Sequence, residues 1–278
     1  MTPKTILVCL TDRDSAKAAT AAACLLARRY NAHLIGLHVV ESLMVYPGIA
    51  MHIPDTVYER YGKSQIDVSE AIKETFETAT APEDFVAEWR LLHCKTEPAS
   101  ERIIESARVA DLVVMPAAPE DDFGTQGTVL ETVIRNAGRP VLVVPRDWSG
   151  DSLGHSALVG WNGSREAARA AHDAMALLGQ GDAAHILRVK DGQDTDDRDP
   201  TSSDLAAAFD RQGIKATVTQ KNWQAEGVAA ALNADAFQAG ADMIAIGAFG
   251  HSRAYDFVIG AATRDLLRVS QLPVLFSR

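Results

Sequence analysis

The chain has 278 residues, enough for one large domain or for two of average size. Hydrophobic residues make up 47% and charged residues 23%, as in an ordinary globular protein, and the formal net charge of −10 argues against general nucleic-acid binding. The sequence has no apolar run long enough to span a bilayer and no signal-peptide pattern, and its three cysteines lie far apart among apolar residues, so we expect a soluble cytoplasmic protein with buried thiols.

Apolar strands and amphipathic helices alternate along the chain. In the first half the pattern predicts strands at 4–11, 32–41, 85–94, 111–117 and 139–145, and helices at 14–30, 65–80, 98–110 and 128–137. In the second half it predicts strands at 156–162, 183–190, 215–222, 241–247 and 273–277, and helices at 164–179, 202–213, 226–240 and 261–270. Strands that are apolar at nearly every residue are typical of a parallel sheet covered by helices on both faces.

The same unit occurs twice. Segments 5–11, 110–116 and 139–145 match 156–162, 241–247 and 272–278 in the same order. The sequence therefore predicts two tandem, doubly wound, five-stranded α/β sandwiches, with domains at 1–147 and 155–278. We expect the closing strands 139–145 and 273–277 to meet, because pairing them would remove two sheet edges.

Two segments break the repetition. The first half carries an insertion at 43–62, and its part from Leu43 to Pro54 is too apolar for a free loop. This part is either a flap that covers its own domain or the other half, or a ligand lid lined by Met44, Tyr46 and Met51. In the second half the acidic run 191–200 is either a solvated loop or a cation site.

A glycine-rich loop near the end of the chain is the best candidate site. Gly247, Gly250 and Gly260 have the spacing Gly-x2-Gly-x9-Gly between a predicted strand and a predicted helix. Backbone N–H groups at such a place can face a phosphate. We expect a positive φ at Gly250 and place Gly260 just before the helix, with the side chains of His251, Ser252 and Thr263 as further donors.

The corresponding loop of the first half has different chemistry. Residues 115–127 contain Pro116 and Pro119, which lack N–H donors, and three consecutive acids at 120–122 that would repel a phosphate. We therefore predict that the first half has lost any phosphate site.

The end of the opening strand in the second half should complete the pocket. Asn162, followed by Gly163 and Ser164, suits a helix cap, and it equally suits a contact to a nucleoside. Catalytic and metal-binding patterns are weak: Ser164 lacks a nucleophile-elbow frame, and the histidines at 33, 38, 93 and 185 lack metal-ligand spacing, so that packing is their better account. We expect no catalytic and no metal-ligating residue.

The chain resembles a tandem member of the universal stress protein family. The glycine spacing, the closing segment Pro273–Leu275 and the opening 159–164 carry the resemblance. It implies an adenine nucleotide alpha hydrolase-like fold, with the two halves related by a pseudo-two-fold axis in imitation of the family's homodimer. In some members the motif holds the ribose and phosphates of ATP, and an acid after the first strand lies near the adenosine. Other members lack the motif and bind no nucleotide.

The resemblance also implies roles for single residues. Gly247, Gly250, Gly260 and the residues that follow them, including Ala261, Ala262 and Thr263, would hold ribose and phosphate. Asn162 would take the place of the acid, and Val189 would lie beside adenine. Ala261 stands where the family has a serine or threonine, and losing that hydroxyl would weaken binding about fivefold.

Two functions follow from the sequence. The first is a regulatory stress-response protein that binds ATP, ADP or AMP in its second domain, with or without Mg²⁺, and at most hydrolyses ATP slowly because no placed general base is visible. The second is a nucleotide-independent scaffold or chaperone-like protein, with a small ligand under the 43–54 flap as a further option. Nucleic acid and membrane are not expected as partners, and association into a homodimer is left open.

Overall fold

The structure is a computed structural model that describes residues 2–41, 48, 54–120, 125–190, 200–222, 227–250 and 256–278, with the backbone alone at 55, 190 and 256–262. Its strands are β1 Thr5–Cys9, β2 His33–Val40, β3 Ala87–His93, β4 Leu112–Pro116, β5 Val141–Val144, β6 Ser156–Gly160, β7 Ala183–Lys190, β8 Lys215–Asn222, β9 Met243–Gly247 and β10 Val274–Ser277. Its helices are α1 Arg13–Tyr30, α2 Asp55–Thr80, α3 Ala99–Ala107, α4 Gln126–Asn136, α5 Arg165–Leu177, α6 Pro200–Arg211, α7 Gly227–Ala239 and α8 Asp256–Val269.

All ten of these strands form a single sheet in the order β3-β2-β1-β4-β5-β10-β9-β6-β7-β8. Neighbouring strands are parallel within each half, and β5 and β10 pair antiparallel at the join. When each strand of the second half is given the number of its counterpart in the first half, the strand order is symmetric about the join between β5 and β10. This symmetry is expected of two halves related by a pseudo-two-fold axis. The predicted fold class and the predicted pairing of the closing strands are confirmed.

The apolar strands bury both of their faces. One core contains residues of α1, α2, α5 and α6 together with alternate strand residues such as Ile6 and Val159. The other contains residues of α3, α4, α7 and α8 with the intervening strand residues, such as Leu7 and Leu158. This alternation follows from the two-residue period of a strand, and it explains why the strands are apolar throughout. Each core includes residues from both halves of the chain.

Side-chain contacts on the two faces also join the halves. Tyr30 donates a hydrogen bond from its hydroxyl to the carbonyl oxygen of Leu177, and Arg29 pairs with Asp182. On the opposite face, Nε of Arg264 lies 2.9 Å from Oε1 of Glu131. Burial raises the pKa of Tyr30 to about 12, so its hydroxyl stays a donor at neutral pH.

Two predicted helix starts were wrong. Helix α2 begins at Asp55 and not at 65, directly after Pro54 at its N-cap. Helix α8 begins at Asp256 and not at 261. Most of the predicted flap at 43–54, including Met44, Tyr46 and Met51, and most of the acidic run at 191–200 lie outside the described residues. In the part of the chain that is described, none of the helices combines the length and the low polarity that crossing a bilayer requires.

Candidate functional site

The candidate site lies at the carboxyl ends of two neighbouring strands. Strand β9 ends at Gly247 and strand β6 ends at Gly160, and the two strands pair in parallel. From β6 the chain winds outward to β7, and it later returns to place β9 on the other side of β6. In a doubly wound sheet this change of winding direction opens a crevice beyond the strand ends, where ligands bind.

The first part of the glycine loop is firmly held. The N–H of Ala248 donates to the carbonyl oxygen of Ser277 at 2.8 Å. Phe249 is buried with a left-handed φ of 51°, and the guanidinium carbon of Arg135 lies 3.4 Å from the centre of its ring. Because Arg135 belongs to α4 of the first half, the loop of the second half is braced by the other domain.

Gly247 is a glycine because the helix α5 packs against it. A Cβ at this position would lie 2.5 Å from both the backbone nitrogen of Ala167 and the backbone carbonyl carbon of Glu166. At Gly250 a Cβ would lie 2.8 Å from Oε2 of Glu166. Both glycines therefore allow the loop to approach the first turn of α5 closely, and this approach needs no ligand.

Glu166 is the site residue that the sequence interpretation missed. Only 4% of its surface is exposed, and its carboxylate pairs with the guanidinium of Arg165. Acidic residues are common in the first turn of a helix, so Glu166 did not stand out in the sequence. The helical spacing could have indicated that Glu166 is buried. It stands four residues before Ala170 and eight before Ala174, which lie on the buried face of α5.

Asn162 and Val189 lie on the other side of the crevice. Oδ1 of Asn162, an exposed residue, accepts from the N–H of Ser164 at 3.1 Å, and Oγ of Ser164 accepts from the N–H of Ala167 at 3.2 Å. Asn162 therefore takes part in the turn that starts α5, as the capping interpretation expects. Val189 is half-buried near the end of β7.

The later residues of the loop differ from the expected geometry. Gly260 lies inside α8, in its second turn, and not before the helix. Ala261 and Ala262 follow it in the helix, and Thr263 is fully buried. The left-handed φ belongs to Phe249 and not to Gly250. His251 and Ser252 lie outside the described residues.

In the first half, the helix that corresponds to α5 is α1, and the carboxylate of Asp12 lies at its N-terminus. Oδ1 of Asp12 accepts from the backbone N–H groups of Asp14 and Ser15 at the start of α1. The Arg146 guanidinium donates to both oxygens of the same carboxylate, at 2.9 and 2.8 Å. Burial alone would raise the pKa of Asp12, but the hydrogen bonds from Arg146 and Ser15 outweigh it and lower the pKa to about 2.

This arrangement predicts a pH effect on stability. The folded-state pKa of Asp12 lies below the ordinary value, so its contribution is present above about pH 4 and is lost as the pH falls toward 2. We expect the wild type to lose about 1–2 kcal/mol more unfolding free energy than Asp12→Asn between pH 5 and pH 2.5, in urea titrations at each pH. Asn keeps a helix cap without the charge, so equal losses in the two proteins would refute this role of Asp12.

Comparisons with known proteins agree with the fold. A family model described as the universal stress protein family matches residues 2–145 and 155–278. The crystal structure of a universal stress protein from Archaeoglobus fulgidus DSM 4304 is similar over 99% of this chain and 96% of that chain, with a TM-score of 0.73 and 18% identity. A Pseudomonas aeruginosa UCBPP-PA14 protein assigned to the same family is similar over 99% and 93%, with a TM-score of 0.55 and 15% identity.

Shorter proteins match half of the chain. A universal stress protein crystallised in complex with cAMP is similar over 53% of this chain and 100% of its own, with a TM-score of 0.36 and 21% identity. A sequence search of curated proteins gave no match. The similarity to the two full-length structures supports the fold and nothing beyond it, since both identities lie below 25%.

Proposed function

The chain belongs to the universal stress protein family, and from this membership we propose that its second domain, 155–278, binds an adenine nucleotide at the 247–263 loop. The first domain, 1–147, binds none. In this proposal the protein is a cytoplasmic regulator in a stress response, and the nucleotide state of one domain is communicated to partners. Gly247, Gly250 and Gly260 with the residues after them hold ribose and phosphate, Asn162 contacts the nucleoside, and Val189 lies beside adenine.

One observation carries this proposal. The glycine loop and the Asn162 turn lie at the carboxyl ends of the paired strands β9 and β6, on the two sides of the switch point. A nucleotide in this crevice would reach the loop with its phosphates and the end of β7 with its base. The contact of Arg135 with the ring of Phe249 links the same loop to the first domain. Through this contact, nucleotide binding at the loop could alter the packing between the two halves.

Glu166 sets a condition on binding. Its buried carboxylate faces Gly250, so a phosphate beside the loop meets a negative charge. Carboxylate and phosphate oxygens are the ligands that Mg²⁺ prefers, so the donor chemistry of Glu166 fits a Mg²⁺ ion that arrives with the nucleotide. The ion would supply charge neutralisation between the two anions. Binding should therefore be weak without Mg²⁺.

Replacing Glu166 by glutamine should relieve this repulsion. In EDTA we expect Glu166→Gln to bind a fluorescent ATP analogue about tenfold more tightly than the wild type, because the negative charge beside Gly250 is gone. Asp173→Asn is the matched control, since it removes a carboxylate from the same helix where Asp173 pairs with Arg169. Equal affinities for wild type and Glu166→Gln would show that Glu166 does not oppose the phosphates.

The proposed function itself is tested by the same analogue with Mg²⁺ present. Wild type should give a saturable signal that unlabelled ATP displaces. Gly250→Asp should give none, because it adds a second carboxylate beside Glu166. Thermal unfolding of the variant shows whether its fold is retained. A negligible signal from both proteins would exclude nucleotide binding.

A nucleotide-independent stress protein is the second candidate. The observation in its favour is that α5 alone accounts for the glycines at 247 and 250. In that case the loop would be a packing element, and the protein would act as a scaffold or chaperone through its surfaces. The analogue titration separates the two functions.

A further inference from the structure

The first half contains a pocket at the place that corresponds to the glycine-loop crevice. It lies beyond the carboxyl ends of β1, β2 and β4, and its volume is about 370 Å³. Apolar side chains make most of its wall, including Leu10, Leu37, Met115, Ile103 and Leu130. This size and lining are typical of sites for small organic molecules.

His38 provides a polar atom in this apolar wall. The residue lines the pocket and is only 4% exposed. Its Nδ1 lies 2.6 Å from the carbonyl oxygen of Leu10, and because a carbonyl only accepts, Nδ1 carries the hydrogen. Burial lowers the pKa of His38, so the ring is neutral at pH 7 and Nε2 is an acceptor.

Nε2 of His38 is buried without a hydrogen-bond partner among the described residues. Leaving a buried acceptor unsatisfied costs about 1–3 kcal/mol, which a ligand that donates a hydrogen bond would recover. A ligand that satisfies Nε2 must therefore donate an O–H or an N–H.

The pocket is unsuited to phosphate. Asp12 places its own carboxylate at the start of α1, and Oε1 of Glu41 accepts from the N–H of Ala99 at the start of α3, at 2.7 Å. The two helix ends that would attract an anion are thus already covered by acids that line the pocket. At the end of β4, Pro116 offers no N–H. Arg13 is the one basic side chain among the described residues of the lining.

The two halves differ at the matching position on the second strand. Val8 pairs with Gly36, and its counterpart Val159 pairs with Ile186. Two residues further along each strand stand His38 in the first half and Arg188 in the second. At this position the second half, which contains the glycine loop, has the cationic side chain of Arg188, whereas the first half has the neutral acceptor of His38. The two crevices have diverged toward opposite ligand chemistry.

We propose that the first-half pocket binds an uncharged, mostly apolar small molecule whose hydroxyl or N–H donates a hydrogen bond to Nε2 of His38. The apolar wall takes the body of the molecule, the acids of the lining, Asp12 and Glu41, disfavour anions, and His38 selects for the donor. The site is separate from the nucleotide crevice and does not depend on it.

A matched pair of probes tests this proposal on the full chain. 1-Naphthol has a hydroxyl donor, and 1-methoxynaphthalene has the same rings without it. We expect wild type to bind 1-naphthol about tenfold more tightly than 1-methoxynaphthalene in isothermal titration calorimetry, although the methoxy compound is the more hydrophobic. Excess ATP should leave naphthol binding unchanged.

Two substitutions at one position isolate the acceptor. In His38→Asn the amide can still donate to the carbonyl of Leu10 but has no acceptor at the place of Nε2, so the preference for 1-naphthol should disappear. In His38→Gln the amide reaches the place of Nε2, so a preference should remain. The ratio of the two affinities within one variant is independent of any general loss of stability. No binding of 1-naphthol to wild type, an unchanged ratio in His38→Asn, or displacement by ATP would overturn the proposal.

Discussion

Replacing Gly247 by alanine should lower the free energy of unfolding by about 3 kcal/mol and remove nucleotide binding. The added methyl group would lie 2.5 Å from backbone atoms of both Glu166 and Ala167. Backbone cannot rotate away as the end of a flexible side chain can, so either α5 or the end of β9 must shift. The same shift would open the loop on which the nucleotide site depends.

Urea denaturation of Gly247→Ala beside Gly62→Ala measures this effect. Gly62 lies within the helix α2, and a Cβ at this position has no atom within 4 Å. Gly62→Ala should therefore raise stability by up to about 1 kcal/mol, through helix propensity alone. A Gly247→Ala protein as stable as the wild type would show that α5 does not press on the loop.

Phe276→Ala should cost about 3–5 kcal/mol of unfolding free energy. Phe276 is fully buried in β10, where it stands opposite Val141 of β5 across the join and beside Ile246 of β9. Truncating it would leave a cavity at the contact that makes one sheet out of two halves. Because both cores continue across the join, the loss should be felt by the whole chain.

Phe237→Ala is the matched control for this substitution. Phe237 belongs to α7 and is 87% exposed, so its removal should change the unfolding free energy by less than about 0.5 kcal/mol. A cost at Phe276 no larger than at Phe237 would mean that the β5–β10 contact does not stabilise the protein.

The fold was predictable because strand and helix periods differ and because the unit occurs twice. Leu7 and Ile6 point to opposite faces, and each face has its own helices, so every strand had to be apolar throughout. The start of α2 was missed because Gly62 and the polar residues around it weaken the helical pattern, although Pro54 marks the true start.

The candidate site was only partly predictable. The glycine spacing drew attention to the loop, but packing against α5 also accounts for Gly247 and Gly250, and Gly260 lies inside α8. The burial of Glu166 depends on how α5 lies on β9, and a one-dimensional pattern gives this contact only faintly. The proposed role of His38 could not be read from the sequence either, because its unsatisfied Nε2 follows from the contact of Nδ1 with Leu10.

Photolabelling with 8-azido-ATP in the presence of Mg²⁺, followed by peptide mapping, shows which domain holds the nucleotide. We expect the label, suppressed by excess ATP, to fall on second-domain peptides that contain Val189 or the 247–263 segment and not on the first-half peptides around His38. Label in the first domain, or label that ATP does not suppress, would contradict this expectation.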